Sequence, residues 1–234
     1  MRGFWVKEWL RYAEEVGRMM RLVFLGAPGV GKGTQADKAA AQFCIRKIST
    51  GDLLREAVRN KTPLGLEAKG HMDRGGLVPD SVVIGLVREK LADSSHASGF
   101  ILDGFPRTVP QAEALASVLN DRGERLDRVV SFEVPREEIV KRLSGRRSCP
   151  SCQATYHVDF APSKMGRVCE RCGEGLTQRS DDQREAVEMR LRVYEEQTAP
   201  LISFYEKQRL LSRLNGAESV DAVYQSLIRT LAAH

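Results

Sequence analysis

Gly26-Ala27-Pro28-Gly29-Val30-Gly31-Lys32-Gly33-Thr34 joins an apolar run, Leu22-Val23-Phe24-Leu25, to an alanine-rich stretch from Lys32 to Phe43. A short apolar run closed by glycine reads as a buried strand, and the alanines read as a helix. A glycine-rich loop between a strand and a helix is the setting of a phosphate-binding P-loop. Glycines let successive backbone N–H groups point inward, where side chains would block the phosphates. The helix N-terminus adds partial positive charge. Gly29, Val30, Gly31, Lys32, Gly33 and Thr34 are therefore candidate ligands for a phosphate chain, with Lys32 supplying a point charge. The general pattern places Ser or Thr directly after the lysine to hold magnesium, but Gly33 stands there. Mg2+ must then lean on phosphates, water and Asp103.

Outward from the loop, apolar runs alternate with helical patterns. Phe100-Ile101-Leu102, closed by Asp103-Gly104, and Arg128 to Phe132 read as further strands. Thr62-Pro63 reads as an N-cap followed by proline at the first helical position. Asp182-Gln183-Arg184-Glu185 resembles a capping box, which would make Asp182 the cap of a helix carrying Val187, Leu191 and Tyr194 on one stripe before Pro200. The alternation predicts an α/β fold, with a mostly parallel sheet covered by helices on both faces.

The 234 residues allow one domain with insertions or two small domains. No apolar run approaches the roughly 18 residues of a membrane span. The net charge of +5 suits an anionic ligand without distinguishing a nucleotide from a nucleic acid. Residues 1–19 hold both tryptophans, and Trp5, Trp9, Tyr12 and Val16 recur at helical spacing. Neither a secretory nor a mitochondrial targeting signal fits this stretch. It reads as an extension ahead of a functional chain beginning at Met19 or Met20, or as a poorly ordered arm.

Between Cys149 and Cys172 the texture turns to cysteine, glycine and proline. Cys149, Cys152, Cys169 and Cys172 form C-x2-C-x16-C-x2-C, the spacing of a four-thiolate zinc site. Four thiolates fill the coordination shell, so such a Zn2+ would be structural. Two disulfides and an iron site of the same geometry are the rivals. Cys44, after Phe43, is expected to be an inert buried thiol, and His157 an unneeded fifth donor.

The P-loop, Ser49-Thr50-Gly51-Asp52-Leu53-Leu54-Arg55, Asp103-Gly104-Phe105-Pro106-Arg107-Thr108, Gly145-Arg146-Arg147, Arg179-x-Asp181-Asp182 and Gln197-Thr198-x-Pro200-Leu201 together resemble the adenylate kinase family over about residues 20 to 210. The resemblance implies a P-loop core with a parallel five-stranded sheet, formed by residues 20–48, 79–145 and 183–234. It also implies an AMP-binding segment at 49–78 and a zinc-ribbon-like lid at 146–182. The implied reaction is transfer of a phosphoryl group from Mg-ATP to AMP, giving two ADP, in a cytoplasmic monomer without nucleic-acid or membrane partners. By the same resemblance Thr50, Arg55, Arg107 and Gln111 bind AMP, Gln111 at the adenine edge, and Gly76, Val78 and Gly104 line the AMP pocket. Arg142, Arg146, Arg179 and Arg190 surround the transferring group, with Asp181 orienting an arginine. Lys47 departs from the histidine of many members, and Gln153 from a usual glycine.

Such a transfer asks for positive charge and alignment rather than a base, because the AMP phosphate is already an anion near neutral pH. A CMP or UMP kinase on the same scaffold is the rival enzyme, although Thr108 and Gln111 resemble the adenylate branch. A nucleic-acid binder reading through the ribbon is the rival of another class. It would use Tyr156, Phe160, Arg167 and Arg171, whose charge Asp159, Glu170 and Glu174 offset.

Overall fold

Alternate residues of the first strand enter different cores: Leu22 and Phe24 one, Val23 and Leu25 the other. Burial on both faces is what a continuous apolar run implies for a parallel strand. The computed structural model describes residues 20–93 and 99–232; the stripe Trp5, Trp9, Tyr12 and Val16 lies outside them.

The strands are β1 (Met20–Leu25), β2 (Arg46–Ser49), β3 (Gly99–Asp103), β4 (Arg128–Glu133), β5 (Arg146–Ser148), β6 (Thr155–His157) and β7 (Leu211–Asn215). Five form one sheet in the order β2-β3-β1-β4-β7, with every neighbouring pair parallel. β5 and β6 form a separate antiparallel pair. The helices are α1 (Lys32–Phe43), α2 (Thr50–Arg59), α3 (Pro63–Asp73), α4 (Asp80–Ala92), α5 (Val109–Asn120), α6 (Arg136–Ser144), α7 (Arg184–Val193), α8 (Pro200–Lys207) and α9 (Val220–Ala232). Ala36, Ile139, Val187 and Leu227 bring α1, α6, α7 and α9 onto one face. Leu54, Val87, Leu115 and Leu201 bring α2, α4, α5 and α8 onto the other. None of the described helices is long and apolar enough to cross a membrane.

Register positions the site. Phe24 pairs with Asp103 and Leu25 with Ser131, so the loop after β1 leaves the sheet beside the carboxylate that ends β3. Ligands of open α/β sheets bind at this carboxyl end, where neighbouring strands lead to opposite faces.

Local signals were mostly honoured. Thr62 Oγ1 accepts from Gly65 N at 3.1 Å, with Pro63 opening α3. The capping box at Asp182 is not formed. α7 begins after Gln183 with no side-chain cap, because the Asp182 carboxylate is taken by two arginines, whose full positive charges hold it more strongly than the neutral backbone N–H groups a cap would engage. Nor does Pro200 stop the chain's helical course. A π-turn over Tyr194–Thr198, closed by Ala199 N donating to Tyr194 O at 2.8 Å, leads straight into α8. Pro200 thus falls at a first helical position, where its missing N–H costs nothing. Cys44 is also corrected: it is exposed, at the left-handed C-cap of α1 (φ 52°), so its thiol faces water rather than the core.

Candidate active site and metal centre

The loop after β1 turns through Gly26 and Gly29, both with positive φ. A Cβ on Gly26 would lie 2.6 Å from Phe132 O, and one on Gly29 2.8 Å from Leu143 Cγ, so no side chain fits at either place. α1 starts at Lys32, aiming its N-terminus into the loop. Lys32 Nζ folds back over it, donating to Gly26 O at 2.7 Å and Ala27 O at 2.9 Å. Burial pushes the Lys32 ammonium down to about 8, against the attraction of Asp103 and with repulsion from Arg107, Arg190 and Arg146. The glycine after the lysine now has a physical reading. A Cβ on Gly33 would stand 3.3 Å from Asp103 Oδ2, so the space beside the loop that a Ser or Thr side chain would enter is next to a carboxylate from β3.

A cavity opens beside this loop. Thr50, Arg55, Gly76, Val78, Gly104, Arg107, Gln111, Asp181 and Arg190 all line it, together with Met72 and Leu77. Eight of the expected AMP-site and phosphoryl-site residues, spread across five segments of the chain, therefore meet on one surface with Asp181. Thr50 Oγ1 and Arg107 Nε both donate to Gly104 O, at 2.8 and 2.9 Å, tying α2 to the turn after β3. Ser49 caps α2 by accepting from Asp52 N at 3.2 Å, and the Asp52 carboxylate grips Arg55. Although burial disfavours its charge, Arg55 and then Lys47 hold Asp52 below the usual carboxylate range. Lys47, in place of histidine, also pairs with Asp37 at 2.8 Å.

Behind the cavity the arginines form a knot. Arg146 grips Asp182 through both Nε and Nη2, and Arg190 Nη1 reaches Asp181 Oδ2 and Asp182 Oδ1, each at 3.1 Å. Arg179 Nε donates to Ser148 Oγ at 2.8 Å. Burial, with neighbouring Arg55 and Arg146, pushes Arg179 down to about 9; burial, opposed by Asp181, takes Arg190 to about 10. Both remain cations at neutral pH. Burial likewise lowers Arg107, against the pull of Asp103. Asp181 stays below the usual range despite burial, because Arg190 and Arg146 face it. Arg142 is set apart. Its guanidinium donates to Glu138 Oε1 at 3.0 Å, Gly216 O at 2.9 Å and Ala217 O at 3.4 Å.

Sequence reading missed Asp182 and Asp80. Asp182 was hidden by its helix-cap context. Asp80 holds Gln111 and Thr108 from 31 and 28 residues away, and nothing local announces that.

The four cysteines converge so that all their sulfurs lie within 4.8 Å of one another. Cys149 and Cys172 are 3.4 Å apart, Cys152 and Cys169 3.5 Å. A disulfide needs about 2.05 Å, whereas a tetrahedron of Zn–S bonds near 2.3 Å has edges of about 3.8 Å, so the set suits a structural zinc. Each pair makes a tight turn, Gln153 N to Cys149 O at 3.0 Å and Gly173 N to Cys169 O at 2.9 Å. Gln153 occupies the left-handed region (φ 61°), which explains why glycine is usual there. His157 is outside the cluster; its Nδ1 accepts from Asp159 N and Phe160 N. The apolar core of this unit is Cys149, Ala154 and Cys169 with Tyr156 and Leu176 against it, far too little to hold a fold without a metal.

A sequence model of adenylate kinase matches residues 24–210. The chain belongs to the adenylate kinase family. It is 54% identical over 214 residues to the adenylate kinase of Citrifermentans bemidjiense, covering 92% of this chain and 100% of that one. It is 53% identical over 212 residues to that of Carboxydothermus hydrogenoformans, covering 91% and 99%. With the adenylate kinase of Thermodesulfovibrio yellowstonii it shares 51% over 212 residues, again 91% and 99%. The adenylate kinase assignment makes the chain an enzyme of reversible phosphoryl transfer between ATP and AMP.

Proposed function

We propose that an AMP phosphate oxygen attacks the γ-phosphorus of Mg-ATP in line while the bond to the β–γ bridging oxygen breaks, leaving two ADP. The loop Gly29 to Thr34 and Lys32 hold the ATP phosphates, and Arg142, beside Gly216, completes their far side. Thr50, Arg55, Arg107 and Gln111 hold AMP, with Gly76, Val78 and Gly104 shaping its pocket. Arg146, Arg179 and Arg190 turn onto the group in flight, and Asp181 steadies Arg190. Asp103 would hold magnesium through water; the ion, when bound, neutralises charge between the β and γ oxygens. No side chain need act as a base. The fixed cations stabilise charge that spreads over the equatorial oxygens in the transition state.

Residues 146–182 act as a zinc-held lid and 49–78 as the AMP-binding segment, closing over a core made of 20–48, 79–145 and 183–234 so that water is excluded. Thiols gathered for a metal suit a reducing cytoplasm, where we place the enzyme as a monomer acting on ATP, ADP and AMP without nucleic-acid or membrane partners.

The observation that carries this reading is the meeting of Arg55, Arg107 and Arg190 in one cavity with Thr50 and Gln111, beside a lysine that feels Arg107, Arg190 and Arg146. The test is ADP formation from ATP with a panel of nucleoside monophosphates. AMP should be preferred, and Arg107→Ala should lose a factor on the order of 10² to 10³ in kcat/KM. An unimpaired Arg107→Ala enzyme, or a preference for CMP or UMP, would sink it.

A further inference from the structure

Gln111 is 1% exposed, and its carboxamide is held from two sides. Its Oε1 accepts from Arg107 N at 2.7 Å, and its Nε2 donates to Asp80 Oδ1 at 2.7 Å. A backbone N–H can only donate and a carboxylate can only accept, so the two partners independently require the same orientation of the amide. Asp80 is itself pinned. Thr108 Oγ1 donates to Asp80 Oδ2 at 2.8 Å while accepting from Gln111 N at 3.3 Å as the cap of α5. Asp80 and Thr108 are not among the residues lining the cavity, whereas Gln111 and Arg107 are. The carboxylate thus grips the amide from behind.

We propose that Asp80 is a positioning residue for base specificity: it locks the polarity of the Gln111 amide, so that the cavity accepts a 6-aminopurine and rejects a 6-oxopurine. The inference rests on the reading of this cavity as the AMP site. Held as it is, the amide has one N–H and one oxygen lone pair left for a ligand. That pair matches a base edge with a ring-nitrogen acceptor beside an exocyclic amino donor, as at N1 and N6 of adenine. Hypoxanthine and guanine present the reverse, an N1–H donor beside an O6 acceptor. A free glutamine could rotate its amide by half a turn and serve either edge. Here rotation would place Oε1 against the Asp80 carboxylate and the NH2 group against Arg107 N–H, two repulsive contacts in a buried site. The polarity that Gln111 offers is set by Asp80 and by the backbone, and only the carboxylate can be removed by mutation.

The experiment compares kcat/KM for AMP and for inosine monophosphate, which differ at the purine 6-position and its neighbouring N1, in the intact enzyme with Mg-ATP. Asp80→Ala should lower the AMP-to-IMP preference by about tenfold or more, roughly one buried hydrogen bond's worth. It should do so by raising KM for AMP, with KM for ATP as the internal control. Asp80→Asn, whose Oδ1 can face Gln111 while its Nδ2 faces Thr108, should restore most of the preference. If the alanine variant does not fold, Asp80→Ser carries the same comparison, since it is too short to reach the carboxamide. An unchanged preference in a folded Ala or Ser variant, or an Asn variant as damaged as the alanine, overturns the proposal. Gln111→Ala separates the two layers: if it leaves both KM for AMP and the preference intact, the reading of the cavity has failed, and not only the role of Asp80.

Discussion

The carboxylate of Asp182 grips Arg146 within the arginine cluster, with Arg146 Nε on Oδ2 at 2.7 Å and the aspartate side chain wholly shielded from water. Arg190 Nη1 shares the same carboxylate at 3.1 Å. One buried anion thus holds two guanidiniums that would otherwise repel each other. Removing one member of a buried ionic group costs about 3–5 kcal/mol, so Asp182→Ala should lose stability of that order in urea unfolding. Saturating ATP should recover part of the loss, because its phosphates give the arginines a substitute anion. Equal losses with and without nucleotide would argue against a shared cationic site.

Lys32 makes activity and stability respond to pH in opposite senses. Its ammonium titrates at about 8, mainly because it is buried, against an ordinary 10.5. The protonated form is the one that attracts phosphate, so kcat/KM for ATP should fall above pH 8, approaching about tenfold per pH unit. Bound phosphates raise the lysine again, so kcat at saturation should hold to higher pH. Between pH 8 and 10.5 the unfolded chain keeps a proton that the folded chain has released, so this group's penalty on folding shrinks as pH rises. Lys32→Met should flatten the pH profile of kcat/KM while lowering its plateau; a basic limb that survives the substitution belongs to another group.

Zinc should matter for the fold more than for the chemistry. The thiolate cluster stands in for an apolar core that residues 149–172 lack. If only about 4 kcal/mol of the roughly 10–16 kcal/mol of binding energy reaches global stability, chelation lowers the melting midpoint by about 8–16 °C at some 2–4 °C per kcal/mol. Room-temperature activity should decline much less. Melting curves before and after verified zinc loss decide the matter, and superimposed curves would refute it.

The cysteine unit also rests on α2. Arg59 Nη1 donates to Pro150 O at 2.7 Å and to Ser151 O at 2.8 Å, and Gln153 Nε2 reaches Asp52 O at 3.3 Å. The Pro150 and Ser151 carbonyls belong to the turn between Cys149 and Cys152, so α2 clasps the cysteine knuckle itself. Arg59→Ala should speed amide exchange across residues 149–153 by about 3–10-fold, the equivalent of about 1 kcal/mol. Exchange in β1 and β4 should not change.

Much of this site could be read before any fold was drawn. The P-loop pattern, the Asp103 turn and each C-x2-C pair are local: each spans residues a few positions apart, so spacing alone reveals the motif. Helix caps such as Thr62-Pro63 are legible for the same reason. Where two uses competed for one side chain, local reading failed. Asp182 has the context of a helix cap, yet the arginines brought to it by β5 and α7 take the carboxylate, because two buried cations outweigh the neutral N–H donors of a helix end. Pro200 looked like a stop until the π-turn absorbed it.

The amino-acid order by itself determined that a glycine-rich P-loop follows a buried strand, that the sheet is parallel and that four cysteines stand at the spacing of a metal site, since these depend on short-range geometry and periodicity. Only the tertiary structure decided which arginines meet. It drew Arg55, Arg107 and Arg190 to one cavity, turned Arg142 toward Gly216, and set Asp80 behind Gln111. The reason is electrostatic: a buried charge takes whichever partner the packed backbone delivers, and distance along the chain carries no information about that.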